Sequence, residues 1–267
     1  MYGLAISPCP NDTFAFYGLL HGKTGYEPEL KTRFDDIEAL NRLCFQGSID
    51  FCKISFHAYV LLRDRYELLD CGSALGFGCG PLVVSKTFMA EEQLRSQRIA
   101  VPGRYTTATL LLKLLLGPDP DLVEMPFDHI MPAVAAGRVG AGLIIHESRF
   151  TYAEHGLTSV LDLGEWWERE CGHPIPLGGI VARKSLGDAA IGNFDRALGR
   201  SIDYAWAHPE ETESFMRLYA QEMAPDVMHR HVNLYVNRFT RGLGQEGRAA
   251  VAFLIEEAAR RGLHLSP

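Results

Sequence analysis

The sequence predicts an α/β fold of two domains with a ligand cleft between them. Short apolar runs alternate with segments whose apolar residues recur at helical spacing, which is typical of strands alternating with helices. At 267 residues the chain is long enough for two domains of ordinary size. Predicted strands at residues 81–85 and 176–183 flank a separate middle unit. We therefore expect a discontinuous first domain, residues 1–85 plus 184–267, and an inserted second domain, residues 86–183.

The composition favours a soluble globular protein without a nucleic-acid-binding or membrane-binding surface. The formal net charge is -7, and residues of both signs are mixed along the chain. This leaves neither the basic stripe of a nucleic-acid-binding protein nor a membrane-surface patch. No run approaches the about 18 apolar residues of a membrane helix, and the N-terminus lacks the pattern of a signal peptide. We expect a cytoplasmic protein with a small-molecule partner, no nucleic acid and no membrane; a homodimer is compatible with the sequence.

The cysteines show neither a CxxC pair nor the spacing of a zinc finger, so we expect reduced thiols and no metal site. Cys9, between two prolines, could serve as a nucleophile, but the sequence shows no partner base for it. A buried structural thiol is the alternative. The six cysteines are Cys9, Cys44, Cys52, Cys71, Cys79 and Cys171.

The N-terminal stretch predicts a strand, a turn and a helix. Residues 3–6 are mostly apolar, and the prolines of the following segment SPCPNDT prevent regular structure. Asn11, Asp12 or Thr13 can cap the amphipathic helix that follows. The amides of such a helix N-terminus suit an anion or an oxygen-rich ligand, so Asn11 is a candidate substrate contact.

A second strand end carries a cation and a hydroxyl. Residues 37–45 predict a helix closed by Gly47 as a C-terminal cap. Residues 50–52 then predict a short strand that leads into Lys53 and Ser55, and Ser55 can cap the next helix.

The glycine-rich stretch GSALGFGCG, residues 72–80, precedes a strand. A dinucleotide-binding fingerprint needs its glycine loop between a strand and a following helix. We therefore interpret these glycines as turns or points of close backbone approach rather than as a nucleotide site.

The middle unit opens with a predicted strand, residues 98–101, and the turn PGRYTT before an apolar helix at residues 108–116. Thr106 and Thr107 either cap that helix or face the cleft together with its free amides, and the sequence favours neither.

The strand at residues 139–145 is the element around which the predicted site is arranged. Its almost unbroken apolar run is typical of a parallel strand buried on both faces, and it ends at His146. Since ligands bind at the carboxyl edge of open α/β sheets, His146 is the natural candidate for moving a proton. A hydrogen-bonded structural histidine is the alternative. An extended segment would place His146 and Ser148 on one side and Glu147 and Arg149 on the other.

Helical periodicity continues through the C-terminal part. His229, Arg230 and His231 are not spaced for a shared ligand, so we expect a solvated face rather than a metal site. The further predicted elements are strands at residues 31–34 and 160–163 and helices at residues 127–137, 164–170, 194–206, 210–223, 225–236 and 245–261.

The predicted cleft collects one base, one cation, several hydroxyls and helix N-termini. Pockets for small molecules lie preferentially at such domain interfaces. The sequence contains no nucleophile elbow, P-loop or HExxH motif. This set of groups suits a carboxylate-bearing, polyhydroxylated small molecule.

Four motifs, in order along nearly the whole chain, carry a resemblance to a known family: SPCPNDTFAFYGLLHGK, KISFHAY, VPGRYTTA and GLIIHESRFTY. Together with the strands GPLVVS and LGGIVAR, they resemble the 1,4-dihydroxy-6-naphthoate synthases of the futalosine route to menaquinone.

The resemblance implies a two-lobed fold similar to type II periplasmic binding proteins, used here by a cytoplasmic enzyme. It implies a lyase that cleaves cyclic dehypoxanthinylfutalosine to 1,4-dihydroxy-6-naphthoate and releases the sugar-derived carbons, without metal or organic cofactor. The family's proton acceptor matches His146. Its substrate-contact segments match Lys53-Ile54-Ser55 and Thr106-Thr107.

Two functions from different classes follow. The first is the cofactor-free lyase with His146 as general base, and Asn11, Ser148 and Arg149 complete its candidate substrate-binding set. The second is a non-catalytic binding protein for a small carboxylate with the same fold, which would need no base and would usually carry an export signal. His146 and the N-terminal pattern favour the lyase, a choice that fold alone could not make.

Overall fold

A computed structural model describes residues 1–220 and 224–264 of the chain. Within these residues the strands form two sheets with helices packed around them. The strands are β1 (Tyr2–Ile6), β2 (Leu30–Phe34), β3 (Phe51–Ser55), β4 (Tyr66–Leu68), β5 (Ala74–Gly76), β6 (Leu82–Ser85), β7 (Ile99–Val101), β8 (Leu122–Glu124), β9 (Ala141–Ile144), β10 (Thr158–Asp162) and β11 (Ile175–Arg183). The helices are α1 (Pro10–Leu20), α2 (Ile37–Phe45), α3 (Phe56–Leu62), α4 (Glu91–Leu94), α5 (Thr107–Leu116), α6 (Phe127–Ala135), α7 (Ser148–Thr151), α8 (Leu163–Cys171), α9 (Asp188–Ala207), α10 (Pro209–Tyr219), α11 (Pro225–Tyr235), α12 (Arg238–Arg241) and α13 (Gly244–Arg260).

The first sheet joins N-terminal strands to a strand from much later in the chain. Its order is β2-β1-β3-β11-β4, and β5 also pairs with β11. β1 is parallel to β2 and β3, whereas β11 is antiparallel to β3. Gly178 lies opposite Ser55, and Ile180 lies opposite Lys53. The polar residues at the end of β3 are thus held between β1 and β11.

The second sheet has the order β10-β6-β9-β7-β8, with β9 at its centre. β9 is parallel to β7 and antiparallel to β6. All four residues of β9 are buried, as its apolar sequence predicts. The sheet is nevertheless mixed, because β6 enters it from the opposite direction. Apolar character reports burial on both faces and not the direction of the neighbouring strand.

Helix α2 shows how local sequence sets an element's ends. The Asp36 side chain accepts hydrogen bonds from the amides of Glu38 (2.9 Å) and Ala39 (3.1 Å), which caps the helix N-terminus. Gly47, with φ 72°, follows the last turn in the left-handed conformation. The predicted bounds of this helix are confirmed.

Close packing of α9 against α1 fixes the turn at residues 7–13. Ser201 Oγ donates to the Ala15 carbonyl (2.6 Å) and accepts from the Leu19 amide (2.9 Å). A Cβ atom on Gly18 would lie 3.1 Å from the Ser201 Cα, so glycine permits this approach. The helix whose N-terminus faces the cleft is therefore anchored along its length.

The glycine-rich segment makes turns and a close backbone contact, as predicted. Gly72 and Gly78 have positive φ values of 88° and 64°. A Cβ atom on Gly80 would lie 2.3 Å from the Gly164 Cα, so the two backbones meet there without room for a side chain.

The remaining differences from the predicted elements are local. The strand predicted at residues 50–52 extends to Ser55, so Lys53 and Ser55 belong to β3. The short strands β4, β5 and β8 were not predicted, because three residues carry too little alternation to be recognised. Helix α10 ends at Tyr219, and residues 221–223 of the predicted helix lie outside the described residues.

The domain boundaries at residues 85 and 184 stay a prediction. The strand pairing places β6 and β11 in the sheets opposite to those that the boundaries would suggest. β6 pairs within the second sheet, although the predicted boundary assigns it to the first domain. β11 pairs within the first sheet, although the boundary assigns it to the second domain. Among the described residues, no helix is both long enough and apolar enough to cross a membrane.

Candidate functional site

A cavity of about 640 Å³ is lined by residues that belong to both sheets or to the segments that follow their strands. Concave sites between packed units are common positions for small organic ligands. The lining residues discussed below are Asn11, Asp12, Lys53, Ser55, Thr106, Thr107, Ala108, His146, His231 and Tyr235.

His146 reaches the cavity through an unusual backbone conformation. Its φ is 57°, and it is the one non-glycine residue with positive φ in the described part of the chain. Glu147 follows with helical angles, φ -64° and ψ -23°, and α7 begins at Ser148. The chain thus turns sharply after β9, and the alternation expected for an extended segment is wrong. Such conformations cost free energy and concentrate at functional sites.

The imidazole of His146 is half-buried and contacts two side chains. Its Nδ1 atom lies 3.4 Å from the Cys9 Sγ atom. The Phe127 ring meets it edge-on, with a centroid distance of 5.2 Å and an interplanar angle of 71°. Burial lowers the pKa of His146, opposed by the negative charge of Glu147. The ring is therefore neutral near pH 7, the form that can accept a proton.

The thiol of Cys9 is buried beside this imidazole. Burial raises the pKa of Cys9 well above its usual value, and the charge of Glu147 adds to the effect. The thiol is therefore protonated near neutrality, which disfavours a nucleophilic role because the thiolate is the reactive form. The structure supplies the neighbouring base that the sequence did not reveal.

Lys53 forms a buried ion pair with Asp12. Lys53 Nζ lies 2.8 Å from Asp12 Oδ1 and also donates to the Gly72 carbonyl (3.3 Å). Ser7 Oγ donates to Asp12 Oδ2 (2.7 Å), and Asn11 Nδ2 donates to Oδ1 (2.9 Å). Asp12 does not cap α1, whose N-cap is Cys9 without a side-chain hydrogen bond. Its carboxylate serves the cation instead.

Asn11 links this pair to a second histidine. The His231 Nε2 atom lies 2.9 Å from Asn11 Oδ1, and His231 is 1% exposed. Burial lowers the pKa of His231 well below its usual value, so the ring is neutral. The expected solvated face is therefore wrong for His231, although His229 and Arg230 are exposed. His231 lies four residues after Val227 and four before Tyr235, on the buried side of α11.

Ser55 is held in place by Asn41 of α2. The Ser55 amide donates to Asn41 Oδ1 (2.9 Å), and Asn41 Nδ2 lies 3.2 Å from Ser55 Oγ. Strand alternation directs Lys53 and Ser55 to the cavity, whereas Ile54 packs in the core and does not line it.

Thr106 is the N-cap of α5. Its Oγ1 atom accepts from the Thr109 amide (3.3 Å) and donates to the Gly103 carbonyl (2.9 Å). The capping interpretation is confirmed for this hydroxyl, which is satisfied within the protein.

Thr107 presents its backbone rather than its hydroxyl. Thr107 Oγ1 donates to the Leu177 carbonyl and accepts from the His57 amide (3.3 Å). The amides of Thr107 and Ala108 make no hydrogen bond to any described residue, and both residues line the cavity. The N-terminus of α5 thus offers two free donors.

The residues after His146 support the loop instead of lining the cavity. Arg149 donates to the Gly80 carbonyl and, from Nη2, to Asp162 Oδ2 (2.7 Å). Ser148 is buried at the start of α7. The structure thus brings neither predicted contact, Ser148 or Arg149, to the cavity wall.

Two further points concern a metal site and the residues that the sequence did not reveal. In the described residues, no group of three or more His, Cys, Asp or Glu side chains is placed to hold a metal ion. Sequence reasoning missed Asp12 as the counter-charge and both Asn41 and His231 as polar partners. A polar residue at a buried helical position was the available signal, since Asn41 lies four residues after Ile37 on α2.

Comparisons with known proteins agree on one family. The profile of a family described as "Menaquinone biosynthesis" matches residues 2–260. A 1,4-dihydroxy-6-naphthoate synthase of Thermus thermophilus is 50% identical over 261 residues, which cover 97% of this chain and 94% of that protein. The corresponding Streptomyces coelicolor enzyme is 45% identical over 265 residues, covering 97% and 93%.

Solved structures extend the similarity to the fold. A protein from Archaeoglobus fulgidus is 41% identical, with a TM-score of 0.93 and 98% of each chain covered. An alkanesulfonate-binding protein from Xanthomonas axonopodis pv. citri has a TM-score of 0.73 at 15% identity, covering 100% of this chain and 95% of that one. A Candida albicans protein with the generic periplasmic binding protein fold has a TM-score of 0.68 at 12% identity, covering 97% and 90%. The predicted periplasmic-binding-protein-like α/β fold is therefore confirmed; identities this low concern the fold alone.

Proposed function

The chain belongs to the menaquinone biosynthesis family and is an enzyme of that route, and we propose that it is a cofactor-free lyase with His146 as its general base. Its substrate would be cyclic dehypoxanthinylfutalosine and its product 1,4-dihydroxy-6-naphthoate. One observation carries the proposal. A neutral imidazole at the end of β9 shares a cavity with the Lys53–Asp12 pair and the Ser55 hydroxyl, which α1 and β3 supply.

The chemical step needs a base beside a carbonyl group. The His146 imidazole removes a proton from the carbon next to that carbonyl, and the electron pair moves into the carbonyl oxygen. The pair then returns from the oxygen and expels the sugar-derived fragment, which leaves with the electrons of the broken bond. The imidazolium of His146 gives the abstracted proton to that fragment as the ring system becomes aromatic. A positioned general base contributes about 10²–10⁴-fold to such a rate.

Hydrogen-bond donors that line the same cavity hold the developing oxyanion and the substrate oxygens. Ser55 Oγ is close enough to accept from Asn41 Nδ2, which leaves its own hydrogen free for the substrate. The free amides of Thr107 and Ala108 add two donors at the positive end of α5. Donors fixed before the reaction stabilise charge without reorganising.

Lys53 suits a carboxylate of the substrate. Its ammonium carries three hydrogens, and Asp12 and Gly72 accept two of them. The third remains for the ligand. Because Asp12 balances the charge of Lys53, the ammonium stays in the cavity without an uncompensated desolvation cost.

Two polar contacts join α2, which packs on the first sheet, to the end of β8 and to the loop before α5 in the second sheet. Arg42 Nη2 lies 2.7 Å from Glu124 Oε2, and the Tyr105 amide donates to Glu38 Oε2 (3.0 Å). Closure of the two halves around the substrate would exclude water during proton transfer.

The test is turnover by the purified, desalted and chelator-treated protein with cyclic dehypoxanthinylfutalosine as the sole small molecule added. Naphthoate formation is followed by absorbance and mass, and substrate binding by calorimetry. We expect the wild type to turn over, and His146→Ala to bind substrate but lose at least about 100-fold in kcat. His129→Ala is the matched control, because this histidine is exposed and does not line the cavity.

Three outcomes would contradict parts of the proposal. Full activity of His146→Ala would remove the base assignment. Activity restored only by an added metal or organic cofactor would remove the cofactor-free step. Binding without turnover by the wild type would favour the alternative, a non-catalytic binding protein for a small carboxylate.

A further inference from the structure

A thiol occupies the position beside His146 where many catalytic histidines have a carboxylate. Cys9 Sγ lies 3.4 Å from Nδ1, within hydrogen-bond reach for sulfur, and Cys9 is 8% exposed. Carboxylates in that position orient the ring and raise its basicity. A protonated thiol can orient the ring but carries no charge.

The sequence around Cys9 fixes where the sulfur lies. A residue that precedes proline is driven toward extended angles, and Cys9, before Pro10, has φ -63° and ψ 149°. Its amide lies 3.4 Å from Ser7 Oγ. With α1 anchored on α9, the SPCP turn becomes a rigid support for the thiol.

His146 lines two pockets, and Cys9 lines only one of them. A second pocket of about 430 Å³ is lined by His146, Cys9 and Glu147, whereas the substrate cavity is lined by His146 but not by Cys9. Nδ1 is the atom that meets the sulfur. Nε2 is then the nitrogen left for the cavity.

We infer that Cys9 is a positioning residue for His146: its sulfur accepts the Nδ1–H hydrogen bond and so leaves the Nε2 lone pair for the substrate proton. If the thiol instead donated to Nδ1, the hydrogen of the neutral ring would lie on Nε2, and the ring could not act as a base there. The contact also joins the turn before α1, in the first sheet's half of the molecule, to the end of β9 in the second sheet. It therefore fixes the orientation of the His146 ring where the two sheets' elements meet.

A thiol suits this position better than a carboxylate does. A buried carboxylate at this distance would hold the ring as imidazolium near neutrality, and imidazolium cannot take up a proton. The neutral partner fixes ring orientation while the ring stays unprotonated. Proton transfer to Nε2 leaves the Nδ1–H···S contact intact, so no rearrangement accompanies the step.

The kinetic part of the test rests on the proposed function, and the spectroscopic part does not. Cys9→Ala should lower kcat by about 10–100-fold, less than His146→Ala, with KM changed by less than about threefold. Cys9→Ser should recover part of kcat, because a hydroxyl oxygen can also accept from Nδ1–H. Cys9→Asp should move the acidic limb of the kcat profile to higher pH. Cys44→Ala, another fully buried cysteine but in the core around β3, should leave kcat and its pH profile unchanged.

Ring ¹⁵N spectra of histidine-labelled protein, with the His146 signals identified by their loss in His146→Gln, report the tautomer directly. The expected result is an Nδ1–H tautomer in the wild type and a mixture in Cys9→Ala. Wild-type kcat, pH profile and ring shifts in Cys9→Ala would overturn the inference, as would a wild-type Nε2–H tautomer. A substrate adduct on Cys9, seen by mass in quenched reactions, would overturn it in favour of a nucleophile. An active His146→Ala would refute the base assignment alone, since the ring spectra would still test the contact.

Discussion

Lys53 Nζ lies 2.8 Å from Asp12 Oδ1, with side-chain exposures of only 6% and 4%. The other carboxylate oxygen accepts from Ser7 Oγ at 2.7 Å. Both charges are therefore paired and hydrogen-bonded, which is the condition under which buried charges persist. Removing one partner leaves the other charge desolvated and unpaired. Four sets of variants test this contact and other features of the site.

Asp12→Ala should lower the free energy of unfolding by about 3–5 kcal/mol, because Lys53 loses its counter-charge. The double variant Asp12→Ala/Lys53→Met should lose less than the sum of the two single losses. Urea unfolding followed by circular dichroism measures both. Asp203→Ala, whose partner Arg241 is exposed, is the control and should cost less than about 1 kcal/mol. Additive losses at Asp12 and Lys53 would refute the coupling.

Asn41→Ala should weaken the wall that holds Ser55. It removes the acceptor of the Ser55 amide, a buried group, at a cost of about 1–3 kcal/mol in stability. KM should rise because the Ser55 hydroxyl loses its orientation. Steady-state kinetics and urea unfolding provide the readouts, with exposed Asn233→Ala as the control. An unchanged KM would mean that Ser55 does not depend on Asn41.

Glu38 should make stability depend on pH between about 4.5 and 7. Burial raises the pKa of Glu38 to about 7, opposed by hydrogen bonds from Asn41 and the Tyr105 amide and by the charge of Arg42, while Glu124 adds to the rise. Because the folded pKa exceeds the unfolded one, the folded state binds the proton more tightly. The stabilisation is complete below pH 4.5 and is lost as pH rises through 7.

Glu38→Gln, which mimics the protonated carboxyl, should remove this dependence. As the pH rises from about 4.5 to above 7, the unfolding free energy of the wild type minus that of the variant should fall by up to about 3 kcal/mol. Urea midpoints at several pH values give the difference, and using the difference cancels other titrating groups such as His57. A difference that stays flat, or that rises with pH, would contradict the shift.

The backbone at position 146 should select residues independently of the imidazole. With φ at 57°, asparagine or glycine fits the left-handed conformation better than a β-branched residue. We expect His146→Val to be less stable than His146→Asn by about 1–2 kcal/mol, with both lacking the base. Thermal unfolding compares the two. Equal stabilities would show that the turn after β9 relaxes freely.

Much of the site was visible in sequence because strand ends and helix starts are local features. The run before His146, the SPCP turn and the hydroxyls before α5 each mark the end of a strand. Parallel strands bring such ends to one edge of their own sheet, and the edges of the two sheets share the cavity. Asn11, Lys53, Ser55, Thr106, Thr107 and His146 do line one cavity. Their roles as substrate contacts and base stay predictions.

Three candidate substrate contacts do not line the cavity, because their surroundings come from distant segments, and their roles stay predictions. Ser148 and Arg149 follow His146 in sequence, but the backbone turn at residue 146 carries them toward Gly80 and Asp162. Ile54 lies between two cavity residues, yet strand alternation points it into the core. Proximity in sequence is a poor guide wherever the chain changes direction.

The sequence by itself determined the α/β class, most helices and strands, and the edge at which polar groups collect, because periodicity, caps and turns act over a few residues. Only the tertiary structure decided which polar side chains contact one another in the site. Lys53 meets Asp12 from 41 positions away, His231 meets Asn11 from 220, and Cys9 meets His146 from 137. Such pairings depend on how sheets and helices pack as whole bodies, so no local pattern encodes them.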